Sequence, residues 1–299
     1  MNSGLSITIA GATGWLGLEL INILNNLNIS DLKLELIASN ERKIEINRKK
    51  FSTSIFTKSN LSEADIYFDF AFLTREKIKT LGPEKYIAVN KNIISNSVRL
   101  IKLKQPKSVI LASSGAVYRL GNNDLKENNH IYSDLKLMQE EKIGEACSGN
   151  GINLIITRIF SLSGNGISKI DTFAIAEMVS RAFRNQKLHI KSNYLVHRRY
   201  CDITQLLNLL LDLNRNSFTG VIDSGGIKIE LRELAQTIIE ELGSNSEIDF
   251  PIIDKNSTPD EYYSKSNLFE DLLLKYSNKK PLSIKEQIKI TKNSLFPLG

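Results

Sequence analysis

A chain of 299 residues with 41% hydrophobic content holds enough apolar material for one large domain, or for a domain with a smaller lobe. Its formal charge of +6 is interspersed with acids and forms no basic block, so nucleic acid is not an expected partner, while an anionic small molecule is compatible. Cys147, Cys201 and the histidines are scattered without ligand spacing, no apolar run reaches membrane length, and the first residues enter a strand without a cationic leader; these exclude a disulfide framework and predict no metal, no membrane and a cytoplasmic setting.

Ile7 and Ile9 alternate up to Gly11, glycines recur at Gly14 and Gly17, and the apolar spacing then turns helical through Leu18, Leu20, Ile21 and Leu24. Strand, glycine turn and helix make a phosphate seat. Gly11 permits a tight turn, Gly14 lets backbone approach a pyrophosphate, and Gly17 lets the helix pack on the strand, while the helix start offers N–H groups and partial positive charge. Gly11, Thr13, Gly14, Trp15, Leu16 and Gly17 are therefore expected to bind a dinucleotide; a turn that binds nothing is the competing reading. A second parallel strand is predicted over 32–38, ending at Ser39-Asn40-Glu41-Arg42-Lys43. An acid at this point suits NAD, whereas a small polar residue with a nearby arginine suits a 2′-phosphate, so Ser39, Asn40 and Arg42 favour NADP over NAD. The competing reading of Arg42 is a loop cation.

The polar stretch 48–61 places only a short strand near 54–57. Residues 65–72 read as a buried strand running into a loop, and Pro83, Tyr86 and Asn90 precede a long amphipathic helix through Leu103. A central strand over 108–112 ends in Ser113-Ser114-Gly115-Ala116-Val117-Tyr118, and hydroxyls at the carboxyl end of a parallel strand face a ligand crevice. Tyr132 then opens a helix through Cys147, with Lys136 one turn later on the same face. A free tyrosine has a pKa of about 10. An ammonium fixed one turn away favours the phenolate and brings proton exchange toward neutral pH.

Gly-x-x-Gly-x-x-Gly, Ser-Ser-Gly-Ala-Val-Tyr and Tyr-x-x-x-Lys, in that order, resemble an extended short-chain dehydrogenase/reductase of the NAD(P)-dependent epimerase/dehydratase family, the nucleotide-sugar-modifying type. The resemblance implies an α/β fold, a doubly wound parallel sheet (Rossmann fold) with a small interwoven C-terminal substrate lobe. Residues 1–165, completed by about 195–225, would form the dinucleotide domain, and 166–194 with 226–299 the lobe. It also implies Ser114 as the catalytic hydroxyl, Tyr132 as acid/base, Lys136 as its partner on the nicotinamide ribose, and Asn90 behind the site holding a water or the lysine. Phe70, Ala71 and Phe72 take the place of a His-Leu-Ala-Ala run beside the ribose, with bulky Phe72 a departure. Residues 155–164 resemble the family's Arg-x-Phe-Asn-x-Tyr-Gly-Pro, except that Ser161, Ser163 and Asn165 replace Asn, Tyr and Pro. His197-Arg198-Arg199-Tyr200 resembles a segment whose arginine contacts a sugar nucleotide diphosphate; Arg198 fits that register, Arg199 is next, and a surface basic pair competes. Gly115 and Ser161 complete the expected substrate contacts. The closing pattern implies a helix over 204–213, a strand over 219–223, a helix over 231–242 and a final helix after Pro281.

Sugar dehydratases of the family carry an Asp-Glu pair after the active-site hydroxyl, where this chain has Gly115 and Ala116, so dehydration is disfavoured. What remains is reduction or oxidation of one sugar carbon. An NADPH-dependent reductase of a keto-sugar nucleotide fits Ser39 and Arg42 best. A nucleotide-sugar 4-epimerase with tightly held NAD, and a non-catalytic dinucleotide-sensing regulator or scaffold, are the alternatives. The family implies a homodimer.

Overall fold

The computed structural model describes residues 4–59, 63–120, 127–167 and 169–297. Packing divides the chain into two compact units, Met1–Ile159 with Leu210–Ile222, and Phe160–Leu209 with Asp223–Gly299. The first domain is thus completed by a narrower segment than the 195–225 expected, and 160–165 belong to the second unit.

The first unit runs β1 (Ser6–Ala10), α1 (Trp15–Asn26), β2 (Lys33–Ile37), β3 (Arg42–Ile46), β4 (Lys49–Ser54), β5 (Ile66–Asp69), α2 (Lys77–Leu81), α3 (Pro83–Lys104), β6 (Ser108–Ser114), α4 (Glu127–Ser148) and β7 (Asn153–Ile159). After β8 (Ser161–Ser163), α5 (Ala174–Phe183), β9 (Leu188–His189), β10 (Val196–Asp202) and α6 (Ile203–Arg215), the strand β11 (Gly220–Asp223) returns to the large sheet. Its order is β11-β7-β6-β5-β1-β2-β4-β3. β1 lies parallel to both β2 and β5, with Ala10 opposite Ile37 on one side and Asp69 on the other. The chain leaves β1 toward β2 and resumes across it at β5, so the crevice between those strand ends is the switch point of a doubly wound sheet.

Strand alternation directs Tyr67, Val109 and Leu111 into one core with Leu100 and Ile101 of α3 and Ile143, Ala146 and Cys147 of α4. Three expectations need correction. Residues 42–54 form a hairpin, not a loop followed by a late strand: Arg42 pairs with Thr53, and Asn47 and Arg48 both take positive φ, as a two-residue hairpin turn requires. Pro83, Tyr86 and Asn90 lie within α3, Pro83 at its first turn where a missing N–H costs nothing. Helix α4 starts at Glu127, so Tyr132 sits inside it.

The second unit adds β12 (Ile227–Glu230), α7 (Leu231–Leu242), β13 (Ile248–Asp249), β14 (Asp260–Tyr262), α8 (Leu268–Ser277) and α9 (Ile284–Leu295). β10 is central, flanked by β12 and β14 and also paired with β8. Ile175 and Val179 of α5, Leu234 and Ile238 of α7, and Ile288 of α9 pack into one core with Tyr200 and Ile229. Local signals fix the helix starts: Glu230 accepts from the N–H groups of Arg232 and Glu233, and Ser283 with Glu286 forms a reciprocal capping box.

Candidate active site

The glycine turn is shaped by close approach at two positions and by openness at the third. Gly11 has φ +82°, and a Cβ there would stand 2.6 Å from the Phe70 carbonyl carbon. At Gly17 a Cβ would meet the Gly11 carbonyl oxygen at 2.5 Å, so only glycine lets α1 press against the turn. Gly14 is exposed and would bring its Cβ near only the Gly11 oxygen, at 3.3 Å. It caps α1 without a side-chain bond, and the first turn of the helix carries no acid. An open backbone at an uncapped helix start fits a dinucleotide pyrophosphate. Thr13, Trp15 and Leu16 are half-buried around it.

At the end of β2 no carboxylate occupies the first positions: Ala38 is followed by Ser39 and Asn40, both exposed. Thr53 Oγ1 holds this corner, donating to the Asn40 carbonyl at 3.0 Å and accepting the Arg42 N–H at 3.1 Å. Arg42 is exposed at the start of β3, and the neighbouring acid, Glu41, pairs with Lys58 at 3.1 Å.

Ser113 and Ser114 end β6 with opposite side-chain directions. Ser113 donates to Glu140 in the interior, which Arg158 grips through Nε at 3.0 Å and Nη2 at 2.7 Å. Ser114 Oγ accepts the Ala116 N–H at 3.2 Å, so the residue begins the turn that carries buried Gly115.

Tyr132 and Lys136 share a face of α4, with the ring of Phe72 against both. Phe72 meets Tyr132 edge-to-face, centroids 5.8 Å apart, and the Lys136 ammonium lies 3.9 Å from the Phe72 centroid. That ammonium is buried, donating to the Ala112 carbonyl at 2.8 Å and to Gln139 Oε1 at 2.9 Å. Burial pulls the Lys136 pKa down to about 7, against the opposing pull of Asp69 and then Glu140. The bulky departure at Phe72 is thus built into the site as a face for the cation.

Asn90 does not hold the lysine. Its Oδ1 accepts the Leu73 N–H at 2.9 Å and its Nδ2 donates to the Tyr86 carbonyl at 3.1 Å, while Tyr86 donates to the Leu73 carbonyl at 2.7 Å. Asn90 and Tyr86 therefore clamp the loop that presents Phe72. Phe70 and Ala71 follow β5 directly, against Gly11.

Of the expected substrate contacts, Ser114 and Gly115 belong to the first unit, and Ser161 and Arg198 to the second. Ser161 is half-buried in β8 opposite Tyr200. Arg198 bonds Asp260 through Oδ2 at 2.6 Å and through its carbonyl at 3.1 Å. Arg199 faces inward, to Gly226, Ser264 and Ser266 carbonyls and to Glu270. Neither is the loose surface pair that competed with a binding role.

Asp69, Gln139 and Glu140 are buried groups that motif reading passed over. Gln139 and Glu140 stand three and four residues after Lys136, the spacing that puts helix side chains on one face, and that was their available signal.

The family model described as the NAD dependent epimerase/dehydratase family matches residues 7–220. The chain belongs to this family. UDP-glucuronic acid decarboxylase 5 of Arabidopsis thaliana is 23% identical over 277 residues, covering 87% of this chain and 80% of the plant protein. The fold is shared with the UDP-N-acetylglucosamine 4-epimerase of Methanobrevibacter ruminantium M1, solved with UDP-N-acetylmuramic acid (TM-score 0.74, 18% identity, 99% of each chain). It is shared equally with the UDP-glucuronic acid 4-epimerase of Bacillus cereus, solved with UDP-glucuronic acid and NAD (TM-score 0.74, 16% identity, 97% and 98% of the chains). The epimerase/dehydratase fold expected from the sequence is thereby met, and the relatives are nucleotide-sugar epimerases and a decarboxylase, one of them solved with NAD.

Proposed function

We propose that the protein is an NAD(P)-dependent oxidoreductase that reduces, or in reverse oxidises, one carbon of a nucleotide-activated sugar. The observation that carries this reading is the shared face of α4, where Tyr132 and the buried Lys136 ammonium meet the same Phe72 ring. Gly11, Gly14 and Gly17 would seat the pyrophosphate, and Phe70–Phe72 with Lys136 the nicotinamide ribose. The bound dinucleotide supplies or accepts a hydride. Tyr132 gives its phenolic proton to the substrate carbonyl oxygen, and Ser114 donates a hydrogen bond to hold that oxygen. A positive Lys136 lowers the cost of the phenolate left behind. Ser39 and Arg42 support NADP as the preferred form, because an exposed guanidinium suits a 2′-phosphate and the adjacent Glu41 is paired with Lys58. Gly115 and Ala116 carry no proton-transferring group, which supports reduction over dehydration.

The test is incubation of the purified protein with NADH or NADPH and a panel of UDP- and dTDP-linked keto-sugars, followed by product mass. A gain of two hydrogens matched by loss of reduced dinucleotide is expected. An isomer of unchanged mass, with no net dinucleotide loss, would make it an epimerase; dinucleotide binding without any conversion would make it a sensor.

A further inference from the structure

Beneath the ends of β5 and β6 a chain of polar groups runs through the core of the first unit. The Tyr67 hydroxyl donates to Ser97 Oγ at 3.4 Å, and Ser97 donates to Asp69 Oδ1 at 3.1 Å. Gln139 Nε2 donates to Asp69 Oδ2 at 3.2 Å, and Gln139 Oε1 accepts from Lys136 at 2.9 Å. Asp69 is 0% exposed, Gln139 1% and Lys136 5%. A carboxylate taken wholly out of water is costly unless a counter-charge answers it, and burial pushes Asp69 up to about 6 against the opposing pull of Lys136.

The charges around it narrow the choice of partner. From α4 it faces Lys136, which also senses Glu140, and the Cys147 thiol; from β5 it faces Tyr67, which also senses Glu35 of β2 and Arg99 of α3. Glu140 is already answered by the two-pronged grip of Arg158. Lys136 is therefore the cation for Asp69, and the Gln139 amide joins them.

We propose that Asp69 is a positioning residue of this site: through Gln139 its carboxylate keeps the Lys136 ammonium charged and seated between Phe72 and the Ala112 carbonyl, so the hold on the dinucleotide ribose follows the charge on Asp69. The inference rests on the reading of Lys136 as a ribose contact. A carboxylate favours the ammonium, so its loss lets Lys136 shed its proton at lower pH.

The experiment measures NADH affinity from pH 6 to 9 on the purified full-length protein, by energy transfer from Trp15, the one tryptophan in the chain. Wild type is expected to weaken as Lys136 loses its proton. Asp69→Asn moves that midpoint down by about one pH unit or more, and Gln139→Leu moves it the same way by less; thermal melting reports which variants are folded. A folded Asp69→Asn with the wild-type midpoint overturns the inference, and should Asp69→Asn fail to fold, an unmoved midpoint in Gln139→Leu does so instead. Lys136→Met is expected to bind weakly with no midpoint. If it binds with the wild-type pH profile, the ribose-contact reading fails too; if it is flat while Asp69→Asn is unmoved, only the inference fails.

Discussion

Lys136 on α4 and Arg199 on β10 are both cations removed from water, yet their surroundings use them differently. Every nitrogen of the Arg199 guanidinium is engaged: Nε with the Gly226 carbonyl, Nη1 with those of Ser264 and Ser266, Nη2 with Asn267 and Glu270. Its charge holds the strand to the loop before α8. Lys136 has three N–H donors, and among the described residues it makes hydrogen bonds to the Ala112 carbonyl and Gln139 and lies over an aromatic face. Donor capacity left over beside a tyrosine is capacity for a ligand. A buried cation is thus read by what its remaining donors can reach, rather than by burial alone.

Three substitutions test that contrast, from the largest effect down. Lys136→Met should lower turnover at least about 100-fold while the protein stays folded, measured by initial rates beside circular dichroism. The same variant gives a sign in pH. Asp69 titrates near 6 in the fold against 3.8 unfolded, and loss of Lys136 moves it higher still. The folded state then binds the extra proton, so stability in urea should fall as pH rises from 5 to 8. Arg199→Met should do the opposite: destabilise by about 3 kcal/mol, because Glu270 loses its cation, with the NADH pH profile unmoved. Exposed Arg42 completes the series. Its replacement by alanine should weaken NADPH about tenfold, or about 1.4 kcal/mol, leave NADH affinity unchanged, and not alter the melting temperature.

The parts of this molecule legible in the sequence are those fixed locally. The glycine turn shows because the apolar period changes across it, and Tyr132 with Lys136 because a helix turn fixes their spacing. The β3–β4 hairpin was missed because its turn is Asn47-Arg48, a pair without the glycine that usually marks positive φ. Asn90 was read from a motif register, but its partner is set by how the Leu73 loop folds back on α3. Asp69 and Gln139 lie 70 residues apart, and only the pairing of β5 with β6 and the packing of α4 beneath them makes the contact. Arg198 is legible only as a motif register, and its partner Asp260 arrives with β14 from 62 residues further on.

Tyr132 is the group on which the account turns. With the cognate sugar nucleotide and reduced dinucleotide, single-turnover hydride transfer should fall at least about 100-fold in Tyr132→Phe, with melting temperature and NADH affinity as in wild type. A folded, dinucleotide-binding Tyr132→Phe that turns over at the wild-type rate would contradict the assignment of Tyr132 as the proton donor.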